Sequence, residues 1–136
     1  MKTHRRLWPF LLALALLIAA CGSAGGPAPS IVPGTGIAIT AVAGPTCPVE
    51  QIPPDPACAP RPVAGATILV VDGQGKTVAT VVTGADGTAL VPLPAGSYVL
   101  QPQPVEGLMG GANQSTVTVV DGAIAPAVVA YDTGIR

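Results

Sequence analysis

From Gly36 onward the chain is divided into short apolar runs by turn signals spaced about eight to twelve residues apart. Three of these signals are Asp-Gly pairs, Asp72-Gly73, Asp86-Gly87 and Asp121-Gly122, and a fourth is Pro94-Ala95-Gly96. Aspartate bonds to nearby backbone and glycine adopts positive φ without steric cost, so such pairs favour tight turns. The runs between them are Ile37–Val42, Ala66–Val71, Thr77–Thr83, Ala89–Val91, Tyr98–Gln101, Thr116–Val120 and Ala127–Tyr131. β-Branched side chains dominate these runs and suit a pleated, half-buried surface. Thr116-Val117-Thr118-Val119 alternates strictly and Thr77–Thr83 nearly does, so each presents one apolar face. No longer window in this part has helical periodicity. The pattern predicts an all-β fold, a seven-stranded antiparallel β-sandwich.

The N-terminal segment reads differently. Lys2, Arg5 and Arg6 precede Leu7–Ala20, which carries no charge. That run falls short of the roughly 20 residues that span a bilayer and matches the core of a signal peptide. It ends in Ile18-Ala19-Ala20-Cys21, which resembles the bacterial lipobox. The resemblance implies cleavage before Cys21, lipidation of its thiol, and export to the extracytoplasmic face of a membrane. Two or three acyl chains hold a protein stably on a bilayer, whereas one does not. The alternative is an ordinary signal peptide followed by a cysteine without lipid. Gly22–Gly34 is uncharged and rich in Gly and Pro, the composition of a tether. The expected organisation is a lipoprotein signal peptide over 1–20, a lipid-anchored tether over 21–35 and a folded domain over 36–136.

Charge and composition then exclude several functions. Residues 21–136 contain three bases (Arg61, Lys76, Arg136) against seven acids, a formal net charge of −4. Without a basic patch the chain cannot hold nucleic acid by phosphate neutralisation. The only histidine, His4, belongs to the leader, which leaves no His-based acid–base chemistry and no His metal site. No serine has a base to activate it, so no catalytic residue and no cofactor is expected. Asp72, Asp86 and Asp121 could converge on calcium, which takes six or more oxygens. Each is instead accounted for by the glycine that follows it, so no metal is assigned. Asn113-Gln114-Ser115 matches a glycosylation acceptor, a pattern that bacterial export leaves idle.

Cys47 and Cys58 remain as an even pair in an oxidising compartment. A disulfide between them would close the proline-rich PVEQIPPDPA segment and contribute about 3 kcal/mol on the chain-entropy account. The alternative is a redox or metal-binding thiol pair, for which neither C-x-x-C spacing nor further ligands are present. Glu106–Ala112 is the longest irregular stretch of the second half. It reads as a mobile loop exposing Leu108 and Met109, a candidate contact surface. The alternative is a connection that covers the sandwich edge.

Four segments in one order carry a family resemblance: Arg61-Pro62-Val63-Ala64-Gly65-Ala66, Asp72-Gly73-Gln74-Gly75-Lys76, Thr83-Gly84-Ala85-Asp86-Gly87, and Leu93-Pro94-Ala95-Gly96-Ser97-Tyr98-Val99-Leu100. Together they resemble the carboxypeptidase regulatory-like domain, a prealbumin-like (transthyretin-like) sandwich related in pattern to Cna-B repeats. The resemblance covers Gly36 to Tyr131. It implies a corner at Gly96-Ser97-Tyr98 where the phenol bonds back to backbone. Where the family often has an aromatic two residues after Asp-Gly, this chain has Thr88-Ala89-Leu90. Peptidase and hydroxyisourate hydrolase activities rest on histidines absent from residues 21–136, so neither is carried over. Cna-B-type domains can form a Lys–Asn isopeptide bond beside an acid, which would involve Lys76, Asn113 and Glu106. Lys76 lies beside a Gly-rich turn, where a solvated lysine is expected.

The expected function is therefore a non-enzymatic, lipid-anchored structural or protein-interaction module of the cell envelope. It would meet the membrane through Cys21 and an envelope protein through loops or an open strand edge. The alternative is a surface-displayed carbohydrate- or peptide-binding module. Sugar sites favour exposed aromatic faces, and Tyr98 and Tyr131 are the only aromatics after the leader.

Overall fold

A computed structural model of the chain describes residues 30–49 and 51–136. The expected signal peptide, Cys21 and most of the expected tether lie outside the described residues. Among the described residues there are eight strands: β1 Gly36–Gly44, β2 Arg61–Pro62, β3 Thr67–Asp72, β4 Thr77–Val82, β5 Thr88–Pro92, β6 Gly96–Pro102, β7 Ser115–Val119 and β8 Ile124–Asp132. One sheet is ordered β4-β3-β6-β7. In the other, β1 is central, with β8 on one side and β5 and β2 sharing the other.

Each expected run forms a strand, and the eighth strand is the two-residue β2, too short to leave a pattern. β2 exists because β5 covers only half of β1. β5 pairs with Gly36–Thr40, and β2 takes over at Val42–Ala43. Between them, the Ala41 N–H donates to the Gly87 carbonyl (2.8 Å) and the Val63 N–H to the Ala41 carbonyl (2.9 Å).

The pairing is not wholly antiparallel, because β8 lies parallel to β1 over all nine residues. The chain enters β1 and β8 from the same end. The Gly36 N–H donates to the Ala123 carbonyl (3.2 Å), and the Gly122 N–H donates to Thr35 Oγ1 (2.7 Å). Thr35, expected in the tether, is thus buried within the fold. Only one of the three Asp-Gly turns closes a hairpin. Asp72–Lys76 joins β3 to β4 within one sheet, whereas Asp86-Gly87 and Asp121-Gly122 carry the chain across from one sheet to the other. In the two crossings the glycine after the aspartate takes positive φ, Gly87 (+74°) and Gly122 (+73°), whereas in the hairpin the positive φ falls on Gly75 (+80°) and not on Gly73, a difference the shared Asp-Gly pair does not reveal.

The core lies between the sheets. Ile37, Ile39, Val129 and Tyr131 from one sheet meet Ile68, Val70 and Leu100 from the other, with Ala41, Ala66 and Ala127 at close approaches. Burial of these apolar surfaces is the main stabilising term. Tyr98 and Tyr131 are both buried, and each hydroxyl has a backbone partner, Pro94 O (2.9 Å) and Gln103 O (3.2 Å). The first of these is the corner that Gly96-Ser97-Tyr98 predicted, with the phenol ring lying against Gly96. Burial raises both phenol pKa values, with the nearby Asp72 charge adding to that of Tyr98.

Candidate functional site

β1 sets the long axis. Its nine residues span about 26 Å at roughly 3.3 Å per step. The chain enters at Thr35–Gly36, at one end, and the longest loops gather at the other. That far end holds three segments: the disulfide loop after β1, the connection between β6 and β7, and the residues after β8.

The disulfide loop is closed by Cys47–Cys58, with Cα atoms 5.3 Å apart, a separation typical of disulfides. This is the disulfide expected from the cysteine pair. Thr46 Oγ1 donates to the carbonyls of Cys58 (2.6 Å) and Ala59 (3.3 Å), which holds the two stems together. A 3₁₀ turn, Pro56–Cys58, is capped by Asp55, whose Oδ1 accepts from the Ala57 N–H at 2.9 Å. Pro48, Pro53, Pro54 and Pro56 restrict the backbone between the cysteines. The result presents apolar side chains outward: Ile52 is 99% exposed and Val49 70%. Chain composition alone did not single these two out. The signal that could have done so is an apolar residue inside a proline-rich, disulfide-closed loop.

The second segment docks onto the third. The Met109 N–H donates to the Asp132 carbonyl (3.0 Å), and the Met109 side chain lies over Gly134. Leu108 is half-buried against the core, while Met109 stays exposed. The expected pair is therefore split, with Met109 outward and Leu108 helping to seat the loop. Thr133 ties the third segment to the first, donating its N–H to the Gly44 carbonyl (3.2 Å) and its hydroxyl to the Pro45 carbonyl. Asp132 accepts from Arg136 Nη2 (2.8 Å) and from the Gly134 N–H (2.7 Å), and the Arg136 bond and that N–H hold its carboxyl down to about 2.

A groove of about 410 Å³ opens among these segments, lined by Arg61, Val63, Val105, Glu106 and Leu108. It offers one cation, one anion and an apolar surface. A second recess of about 550 Å³ lies against the disulfide loop, bordered by Gln51, Pro54, Asp55 and Pro60.

The other expected groups do not converge. Asp72 and Asp121 are at the end where the chain enters, and Asp86 is at the far end. Asp72 Oδ1 accepts from the N–H groups of Gln74 and Lys76 (2.9 Å each). Asp86 accepts from the Thr88 N–H (3.0 Å) and hydroxyl (2.8 Å), bonds that lower its pKa. No group of three or more metal-ligating side chains occurs among the described residues. Lys76 is exposed on the β3–β4 hairpin, while Asn113 precedes β7 at the opposite edge and opposite end of the same sheet. They are not positioned to bond to each other.

No protein-family model and no curated protein sequence matches the chain. Among solved structures it resembles GBS52, the minor pilin of the Gram-positive pathogen Streptococcus agalactiae, with TM-score 0.56 and 17% identity over 75% of this chain and 45% of that one. The shaft pilin SpaA of Lactobacillus rhamnosus GG gives 0.55 and 12%, over 72% and 50%. The Bacillus anthracis TIE protein gives 0.52 and 18%, over 71% and 17%. The chain thus spans half or less of each neighbour. At these identities the likeness shows the fold: a prealbumin-like, two-sheet sandwich of the kind found in pilin domains.

Proposed function

We propose that this chain is a non-enzymatic structural or protein-interaction module of the cell envelope, exported and anchored by lipid on Cys21. The observation that carries the reading is the polarity of the fold. The chain enters at one end, and the disulfide loop presents Ile52 and Val49 at the other. A tether joined at Thr35 would place that loop about one strand length further from the membrane. The fold shared with pilins supports a surface role. In this reading an envelope protein meets the far end, with apolar side chains on a stiffened loop as the anchor.

The groove between Arg61 and Glu106 supports a second reading, a surface-displayed peptide-binding module. The burial of both tyrosines argues against the carbohydrate form of that alternative. Cross-linking in intact cells separates the two. An envelope protein that co-purifies with the full chain, and is lost with Cys21→Ala and with Ile52→Asp, supports the first. Recovery of no protein partner, together with peptide binding that Arg61→Ala abolishes, sinks it in favour of the second.

A further inference from the structure

The end at which the chain enters the sandwich is divided in character. On one side of it, two tight turns are joined. Val32-Pro33-Gly34-Thr35 closes with the Thr35 N–H donating to the Val32 carbonyl (3.1 Å). Val120-Asp121-Gly122-Ala123 closes in the same way, the Ala123 N–H donating to the Val120 carbonyl (3.1 Å). Gly34 and Gly122 supply positive φ at the third position of each turn, +75° and +73°. Thr35 fuses the two, because its buried hydroxyl accepts from the Gly122 N–H while the next N–H, that of Gly36, reaches the Ala123 carbonyl.

Turn chemistry accounts for the proline, the aspartate and the glycines of this pair, but not for the apolar side chains that flank them. Ile31 is 49% exposed, Val32 40%, Val120 62% and Ile124 41%. One such residue on a surface is ordinary, whereas four on two joined turns form a patch. The other side of the same end is polar, since the β3–β4 turn there is Asp72-Gly73-Gln74-Gly75-Lys76. The patch also lies where the chain arrives from Cys21. Nine Cα steps separate Cys21 from Ser30, a reach of at most about 32 Å, and no charged residue lies between Arg6 and Glu50.

We infer that this corner of the sandwich rests on the lipid bilayer, with Ile31, Val32, Val120 and Ile124 entering the boundary between headgroups and acyl chains. The inference rests on the lipid anchor at Cys21 proposed above and adds an orientation to it. Apolar side chains bind such a boundary in proportion to the area they bury. Four are too few to hold a free protein there. Acyl chains nine residues away raise the local concentration, so that a weak contact persists. A bilayer suits the patch better than a protein partner, because it is the apolar surface that so short a connection brings within reach. Asp121, the one charge within the paired turns, is exposed and stays in the hydrated headgroup layer. The sandwich therefore stands on its β7–β8 corner, with the polar β3–β4 turn lifted and the disulfide loop pointing away from the membrane.

A fluorophore on single introduced cysteines tests it. The full chain is expressed in a bacterial host, purified from membranes and weighed by mass spectrometry for its acyl chains. A polarity-sensitive dye is then attached at Val120→Cys or Asn113→Cys, exposed positions that flank β7 at its two ends. The protein is reconstituted in vesicles of phosphatidylcholine and phosphatidylglycerol containing spin-labelled phosphatidylcholine. The dye at Val120→Cys is expected to be quenched several-fold more strongly than that at Asn113→Cys. Adding Val32→Asp and Ile124→Asp, at two exposed positions outside the core, should bring it down to the Asn113→Cys level. A mass without acyl chains would defeat the anchor, and the inference with it. In the acylated protein, equal quenching at the two positions, or quenching that survives the two aspartates, would overturn the inference while leaving the anchor in place.

Discussion

The hydroxyl of Thr83 donates to the carbonyl of Val63 at 2.6 Å, joining the end of β4 to the bend that leads into β3. The same oxygen accepts from the Ala66 N–H at 2.9 Å, and Thr83 is only 4% exposed. Thr83→Val keeps the shape and leaves a buried donor and a buried acceptor without partners. Such a loss costs about 1–3 kcal/mol, and Thr83→Ser should recover most of it. Urea unfolding of the two variants measures the difference, and equal stabilities would show that the hydroxyl is dispensable.

Tyr98 and Pro94 form a second such contact, four residues apart. Tyr98→Phe removes the hydrogen bond without removing the ring, so the expected loss is about 1 kcal/mol. Tyr98→Ala also removes the ring from the core and should cost about 3–5 kcal/mol. Thermal unfolding followed by circular dichroism distinguishes these two losses.

Thr83 and Tyr98 also mark how far the sequence could be read. The strands were legible because their alternation is a local property, whereas the Tyr98 corner was legible only through the family resemblance. The parallel β1–β8 pair was not legible, since nothing local to Ile124–Asp132 states that it runs beside β1. Pro126 further obscured the start of β8. Among site residues, the Cys47–Cys58 pairing followed from counting cysteines. Ile52 did not stand out, because an isolated apolar residue in a loop gains meaning only once its exposure is known.

The disulfide fastens a loop that contributes nothing to the core, as the residues of its 3₁₀ turn are all unburied. Replacing Cys47 and Cys58 together by alanine should lower stability by about 3 kcal/mol or less, with the sandwich still folded. Amide exchange should rise across residues 48–57 and remain unchanged in β3 and β6. Loss of protection throughout the molecule would mean that the loop organises the sandwich itself.

Asp132 gives stability a defined acid dependence. Its folded-state carboxyl is held near 2 by Arg136 and the Gly134 N–H, below the ordinary value of 3.8. The charged form therefore favours the folded state, a contribution present above about pH 4 and lost as pH falls toward 2. Arg136→Ala removes the principal cause, and the carboxyl should return toward 3.8. Titration of the Asp132 side-chain carbon by NMR reads this directly. An unchanged value would assign the depression to the Gly134 N–H instead.

Gly87 and Gly107 both adopt positive φ, +74° and +84°, but in different surroundings. A Cβ on Gly107 would meet nothing within 4 Å, whereas one on Gly87 would lie 2.6 Å from the Ala41 carbonyl oxygen and 2.9 Å from the Pro62 side chain. Gly107→Ala thus incurs only backbone strain, about 1 kcal/mol. Gly87→Ala adds a collision at the seam where β5 yields to β2, and displaces the carbonyl that accepts from the Ala41 N–H. Its cost should exceed that of Gly107→Ala by about 2 kcal/mol or more. Unfolding midpoints of the two variants test the ranking. Equal costs would mean that the β2–β5 seam shifts without penalty and that β2 adds little to the sheet.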